Sequence, residues 1–232
     1  MSLFKGKCVP VTKPICENGL QPVAIYDETG CCFHYDCRCV CSGWGDPHFI
    51  TFDGQYYSFQ KNCTYVLFKE IIPRYGLKIL IDNENCDSSG AVTCPKALNV
   101  SYKDYEIILT QERIPKTVNR VYINGKQVFP TYSNKDLSIT SSGIELHLTI
   151  PAIEAVVTFR GLLFSIDLPF ALFHNNTEGQ CGTCDNNKKN DCRLPNAMIH
   201  SSCSEMANHW HVQVKEKPYC EKGSHDRMIT LI

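Results

Sequence analysis

The sequence predicts a mainly β fold: a disulfide-rich β-sandwich carrying a small cysteine-rich N-terminal appendage. Three observations predict it. Fifteen cysteines crowd towards the two ends of the 232-residue chain. Between them run many short stretches of aromatic and β-branched residues at close spacing, the pattern of a sandwich or barrel. Several of these stretches alternate apolar with polar residues or meet at turn dipeptides, as half-buried hairpins do. The length is ample for a sizeable core. A hydrophobic content of 43% and a net charge of -1 describe a soluble globular chain. Lys and Arg are scattered, so neither nucleic acid nor an anionic membrane surface is expected as a partner. No apolar run approaches the length of a membrane span.

Residues 1–41 hold seven of the fifteen cysteines: Cys8, Cys16, Cys31, Cys32, Cys37, Cys39 and Cys41. Asn18-Gly19, Pro22 and Thr29-Gly30 punctuate this lead-in with turns. So short a segment buries little apolar surface, and disulfides must hold it. One domain follows over residues 42–221, and residues 222–232 are left unassigned.

Within the domain, short strands are expected over 55–60, 64–72, 77–81, 98–102 and 105–110. Asn124-Gly125, between Val121 and Val128-Phe129, is a strong hairpin signal, because it supplies the positive φ of a tight turn. Ile144, Leu146, Leu148 and Ile150 alternate with Glu145, His147 and Thr149, giving one buried and one wet face. Residues 155–159 and 162–166 flank Gly161 as another hairpin. Cysteines return at Cys181, Cys184, Cys192, Cys203 and Cys220, with one or two helical turns expected over 204–210.

Cysteines at this density are staples of a secreted chain. Bonded cysteines are expected at Cys31, Cys32, Cys37, Cys39, Cys41, Cys63, Cys86, Cys94, Cys181, Cys184, Cys192, Cys203 and Cys220. Sequons at Asn62, Asn99 and Asn175 agree with secretion and are candidate glycosylation sites. Residues 1–7 lack the long apolar core of a signal peptide, and the cysteine count is odd. The expectation is therefore a fragment or incomplete reading, with one cysteine partner outside the chain or on another copy.

The hinge between lead-in and β region reads Gly43-Trp44-Gly45-Asp46-Pro47-His48-Phe49-Ile50-Thr51-Phe52-Asp53-Gly54. Its Asp46-Pro47 bond is chemically fragile. The Asp side chain can attack its own carbonyl carbon, closing a five-membered anhydride at high effective concentration. Proline makes the leaving nitrogen a basic secondary amine and holds Asp46 extended. Strain, or a proton from His48, would speed the reaction. On the residues alone the favoured reading is an ordinary turn dipeptide, because most Asp-Pro pairs stay intact.

The hinge motif resembles the opening of a von Willebrand factor type D domain, and the lead-in is similar to the one that precedes the fourth D domain of gel-forming secreted mucins. The resemblance covers residues 14–220. It implies self-cleavage in the acidic secretory pathway at Asp46 and Pro47, with His48 as a possible proton donor. It also implies that Asp53 joins an Asn/Asp loop to bind Ca²⁺, through Asn186, Asn190 and Asp191. That loop is shorter here than the calcium-binding version and carries Lys188-Lys189, so a plain turn at Asp53 beside a solvated loop stays open.

Cys181-Gly182-Thr183-Cys184 invites zinc or redox readings, but neither four suitably spaced ligands nor an active-site helix is visible, and disulfides are preferred. No motif of a conventional hydrolase is present. The sequence thus points to a structural extracellular module of a mucin-like glycoprotein, not an enzyme. Its partners would be other mucin or matrix chains and its own flanking domains. The rival is an extracellular enzyme or protease-inhibitor module using the cysteine-rich ends.

Overall fold

The computed structural model describes residues 8–45, 47–86, 92–112, 115–215, 217 and 220. Two strands, β1 (Val23–Tyr26) and β2 (Phe33–Asp36), form a small ribbon in the lead-in. Then come β3 (Arg38–Trp44), β4 (His48–Ile50), β5 (Tyr56–Ser58), β6 (Thr64–Glu70), β7 (Lys78–Asn85) and β8 (Thr93–Tyr102). β9 (Tyr105–Glu112), β10 (Val118–Ile123), β11 (Lys126–Val128), β12 (Tyr132–Ser133), β13 (Ser138–Ser142) and β14 (Glu145–Ile150) follow. β15 (Ala155–Arg160), β16 (Leu163–Pro169), a short helix α1 (Phe170–Phe173), β17 (Thr177–Glu178), helix α2 (Cys203–Asn208) and β18 (His211–Val212) complete the order.

The domain strands make two antiparallel eight-stranded sheets. One runs β11-β10-β9-β8-β7-β6-β17, with β18 also on β6; the other runs β12-β13-β14-β15-β16-β3-β4-β5. The expected hairpins are present. Val121 pairs with Val128 around Asn124 and Gly125, both at positive φ. Leu146, Leu148 and Ile150 are fully buried, whereas Ile144, expected on the same face, lies in the turn before the strand and is exposed; His147 sits on the outer face with its Nε2 2.8 Å from Glu145 Oε1. The inner faces meet in one apolar core that includes Ile79, Ile81, Leu98, Val100, Ile107 and Leu109 from one sheet and Leu148, Val157, Phe159 and Ile166 from the other. The mainly β, disulfide-rich sandwich is therefore the fold observed.

β3 runs across the boundary expected between residues 41 and 42. Its inward residues are Cys39, Cys41 and Gly43, and its whole length pairs with β16, from Trp44↔Leu163 to Arg38↔Pro169. The last residues of the lead-in are thus a central strand of the sandwich.

Seven disulfides join Cys8–Cys32, Cys16–Cys37, Cys39–Cys184, Cys41–Cys181, Cys63–Cys220, Cys86–Cys94 and Cys192–Cys203. The expectation of a bonded Cys31 is corrected: Cys31 is an exposed free thiol. The turn before it explains why. Cys31 gives its backbone N–H to Asp27 Oδ1 at 3.1 Å, and the next residue, Cys32, takes the bond to Cys8.

Candidate functional site

The site grows from the β3–β4 hairpin, whose connection is residues 45–47. Gly43 lies on β3 where the ring of Phe164 arrives. A Cβ there would stand 2.3 Å from that ring, so only glycine lets β3 and β16 close. Gly45 has φ +60 and gives its N–H to Leu162 O. Pro47 is buried, and its carbonyl accepts from Phe59 N at 3.1 Å. Asp46 lies outside the described residues, so the pair at which self-cleavage is expected is seen from its Pro47 side only.

Alternation along the strands sorts this region into two faces. Inward, Phe49 stacks on Tyr57 at 5.1 Å and packs against Phe164. Outward, Trp44, His48, Tyr56 and Ser58 share one surface. His48 pairs with Trp44 on β3 and with Ser58 on β5. Its Nδ1 lies 2.6 Å from Tyr56 Oη and 3.1 Å from Ser58 Oγ. The Gly-Asp-Pro-His motif singled out His48; its two hydroxyl partners depend on strand register and had no local signal.

The second part is the loop after Cys184. Asp53 follows β4 and is 4% exposed; its Oδ2 accepts the N–H groups of Asp185 and Asn187, both at 3.0 Å. Asp191 is fully buried. Its carboxylate accepts from Thr51 Oγ1 at 2.5 Å and from Thr183 N at 3.0 Å. Burial, and beside it the Asp53 charge, push Asp191 up to about 8. Burial and the facing Asp185 carboxyl raise Asp53 to about 6. Asn190 joins them: its Nδ2 donates to Asp185 Oδ2 at 2.6 Å, and its Oδ1 accepts from Thr183 Oγ1.

Three of the four expected calcium ligands, Asp53, Asn190 and Asp191, are therefore gathered, with Asp185 among them. The fourth, Asn186, faces the lead-in instead. Its Oδ1 accepts from Glu17 N at 2.8 Å and its Nδ2 donates to Ile15 O at 3.0 Å. The gathered side chains offer oxygen donors, and their buried carboxyls have no cationic partner among the described ion pairs. That donor chemistry suits a hard divalent cation. The one cluster of the described His, Cys, Asp and Glu residues close enough to share an ion is Cys63, His211 and Cys220, and its two sulfurs are bonded to each other.

Two disulfides tie these parts together. Cys39 and Cys41 on β3 reach Cys184 and Cys181, which flank Gly182 and Thr183 ahead of the acidic loop. The C-x-x-C pair is thus structural. A Cβ on Gly182 would meet Asp191 at 2.7 Å, so this tight turn requires its glycine.

The sequons differ in setting. Asn175 is exposed at φ 55. Asn99 is half-buried on the outer side of β8. Asn62 has a buried Oδ1 without a hydrogen-bond partner, and Thr64 of the same sequon is buried with its hydroxyl on Asp82 at 2.8 Å.

Residues 41–198 match the von Willebrand factor type D domain family. The chain belongs to that family. The D domain is 43% identical over 224 residues to human Mucin-5AC, covering 96% of this chain and 4% of that protein. It is 45% identical over 221 residues to the rat intestinal mucin-like protein, covering 95% and 26%. It is 45% identical over 215 residues to mouse Mucin-2, covering 92% and 5%. The chain thus spans a small part of the length of these relatives. A D domain of mucin kinship, held by seven disulfides, belongs outside the cell, where such bonds persist. Among the described residues no helix is long and apolar enough to cross a membrane.

Proposed function

We propose that this D domain is a structural module of a secreted, gel-forming mucin-like glycoprotein, and that it cuts its own Asp46–Pro47 bond at mildly acidic pH. Its partners are other mucin or matrix chains and its own flanking domains. No substrate is turned over: the bond cut is internal and is cut once per chain.

The observation that carries this reading is the placement of Cys39–Cys184 and Cys41–Cys181. Each has one cysteine before Asp46 and one after Pro47. A cut there leaves both halves in one covalent unit, as a linking module needs. β3 would also keep its pairing with β16.

The chemistry uses the chain's own groups. An Asp46 carboxylate oxygen bonds to the Asp46 carbonyl carbon. The carbon–nitrogen bond to Pro47 breaks, and the nitrogen keeps the electron pair and takes a proton. Water then opens the cyclic anhydride, leaving Asp46 as a new C-terminus. His48 is the proposed donor of the proton. The new terminus, while still an anhydride, could also be taken by a nucleophile on a neighbouring chain.

Calcium is proposed for the acidic loop, held by Asp53, Asn190 and Asp191 with Asp185. It would supply positive charge where buried carboxyls crowd. Asn186 is assigned to the lead-in contact.

The test of the cleavage is mass spectrometry of reduced protein after incubation at neutral and mildly acidic pH. The expected products are residues 1–46 and a piece beginning Pro47-His48-Phe49. Asp46→Ala should remove the reaction and Pro47→Ala should slow it. An intact wild-type chain at the lower pH would sink the proposal.

A further inference from the structure

We propose that Tyr56, assisted by Ser58, is a positioning residue for His48 in self-cleavage, fixing the ring so that Nε2 is the nitrogen that moves the proton. The inference rests on the cleavage reading above and names how its acid is held.

The geometry begins with register. His48 lies opposite Trp44 on one side and Ser58 on the other, with Tyr56 on the diagonal of the same face. The Tyr56 and imidazole rings lie 5.7 Å apart at 20°, and Trp44 lies 5.7 Å from the imidazole and 6.2 Å from Tyr56, so the three rings form one cluster. Tyr56 is 51% exposed and Trp44 36%. A phenol this exposed can bond water and gains little stability from a protein partner. Its 2.6 Å contact with Nδ1 therefore does more for the histidine than for the fold.

The hydroxyls suit both states of the ring, because a hydroxyl donates as well as accepts. In the imidazolium, Nδ1–H donates to Tyr56 Oη, with Ser58 Oγ at 3.1 Å as second acceptor. The proton available for transfer is then the one on Nε2. When Nε2 gives it to the Pro47 nitrogen, the carbon–nitrogen bond breaks and the Asp46 carboxylate closes on its carbonyl carbon. The neutral ring keeps its proton on Nδ1, still held by Tyr56 Oη, and nothing rotates. Fixing one ring nitrogen is how proteins choose the reactive other. Among the described residues the groups facing His48 are Trp44 on β3 and Tyr56 and Ser58 on β5, and none of these three carries a charge to pair with it.

The experiment compares wild type with Tyr56→Phe, Ser58→Ala and the double variant, reading cleavage rate by mass spectrometry over a pH series. Tyr56→Phe should slow cleavage on the order of tenfold, short of the roughly hundredfold or more that a general acid contributes in full. It should also move the limb on which cleavage falls with rising pH to lower pH, since the imidazolium loses an acceptor. The double variant should be slower still. In a His48→Ala background, Tyr56→Phe should change nothing. Melting temperature serves as control: a purely structural tyrosine would lower it and leave the pH profile in place. Wild type that cleaves, beside Tyr56→Phe and the double variant with unchanged rate and profile, overturns this inference alone. Wild type that stays intact overturns the cleavage reading and the inference with it.

Discussion

Cys41 and Cys181, 140 residues apart, are joined across the Asp46–Pro47 bond, with one sulfur on each side of it in sequence. Cys39 and Cys184 repeat the arrangement two strand positions away, on the same buried face of β3. The other five disulfides each lie wholly on one side of that bond. A cleaved chain should therefore run as one species without reductant and as two with it. Removing either crossing pair alone, as Cys41→Ala with Cys181→Ala, should leave the halves joined. Removing both pairs should release a piece of residues 1–46 under denaturing conditions. Each pair closes a loop of well over a hundred residues, so losing one should cost about 2–5 kcal/mol of stability. Separation of the halves without reductant would contradict the pairing.

Cys31 is the single thiol that the seven disulfides leave over. Alkylation of folded protein should label about one cysteine per chain, and peptide mapping should place it at Cys31. Cys31→Ser should abolish the label and leave the melting temperature within about 1 °C, because the side chain is exposed and surface changes of this kind cost little. Labelling spread over several cysteines would show a different pairing.

Local pattern carried much of the fold. The Leu146–Ile150 alternation and the Asn124-Gly125 turn each fix a hairpin from within a few residues. Distant pairing hid the rest. The order Cys39, Val40, Cys41, Ser42, Gly43 alternates as a strand should, yet the cysteines read first as part of a knot. Cys31 and Cys32 are chemically alike, and only the Asp27–Gly30 turn decides which faces Cys8. The motif marked His48, but Tyr56 and Ser58 become its partners through β4–β5 register. Asn186 looked like its neighbours in an acidic loop, and its bonds to Ile15 and Glu17 lie about 170 residues back in the chain.

The acidic loop predicts a pH dependence in chelator. Asp53 and Asp191 have folded values of about 6 and about 8, against 3.8 ordinarily. A raised carboxyl stabilises the fold while protonated. That contribution is complete below the ordinary value and is lost as pH rises through about 6 and then about 8. Melting temperature in chelator should fall across this window, and Asp191→Asn should flatten its upper part. Calcium at millimolar concentration should raise the melting temperature at the neutral end, where Asp53 is charged and the ion has only the Asp191 proton to displace, and little at the acidic end. If chelator and calcium both leave it unchanged at neutral pH, the loop holds no ion.

Sugar occupancy should follow the setting of each sequon. Asn175 is exposed, and a glycan there projects into solvent. Asn99 sits on the outer side of β8, between Leu80 and Ile108 on neighbouring strands, and leaves room for a sugar above the sheet. Asn62 is different. Its Oδ1 is buried, Thr64 gives its hydroxyl to Asp82, and the residue between them is bonded to Cys220. A glycan on Asn62 would have to displace this packing before the Cys63–Cys220 bond could close. Secreted protein treated with an amide-cleaving glycosidase should therefore show conversion of Asn to Asp at Asn175 and Asn99, with Asn62 unconverted. Asn175→Gln should remove one glycan from the intact mass, and Asn62→Gln should remove none. A converted Asn62 in protein whose Cys63–Cys220 bond is intact would overturn the assignment, because it would mean that this half-buried side chain, with its Oδ1 buried, tolerates the sugar that its surroundings should exclude.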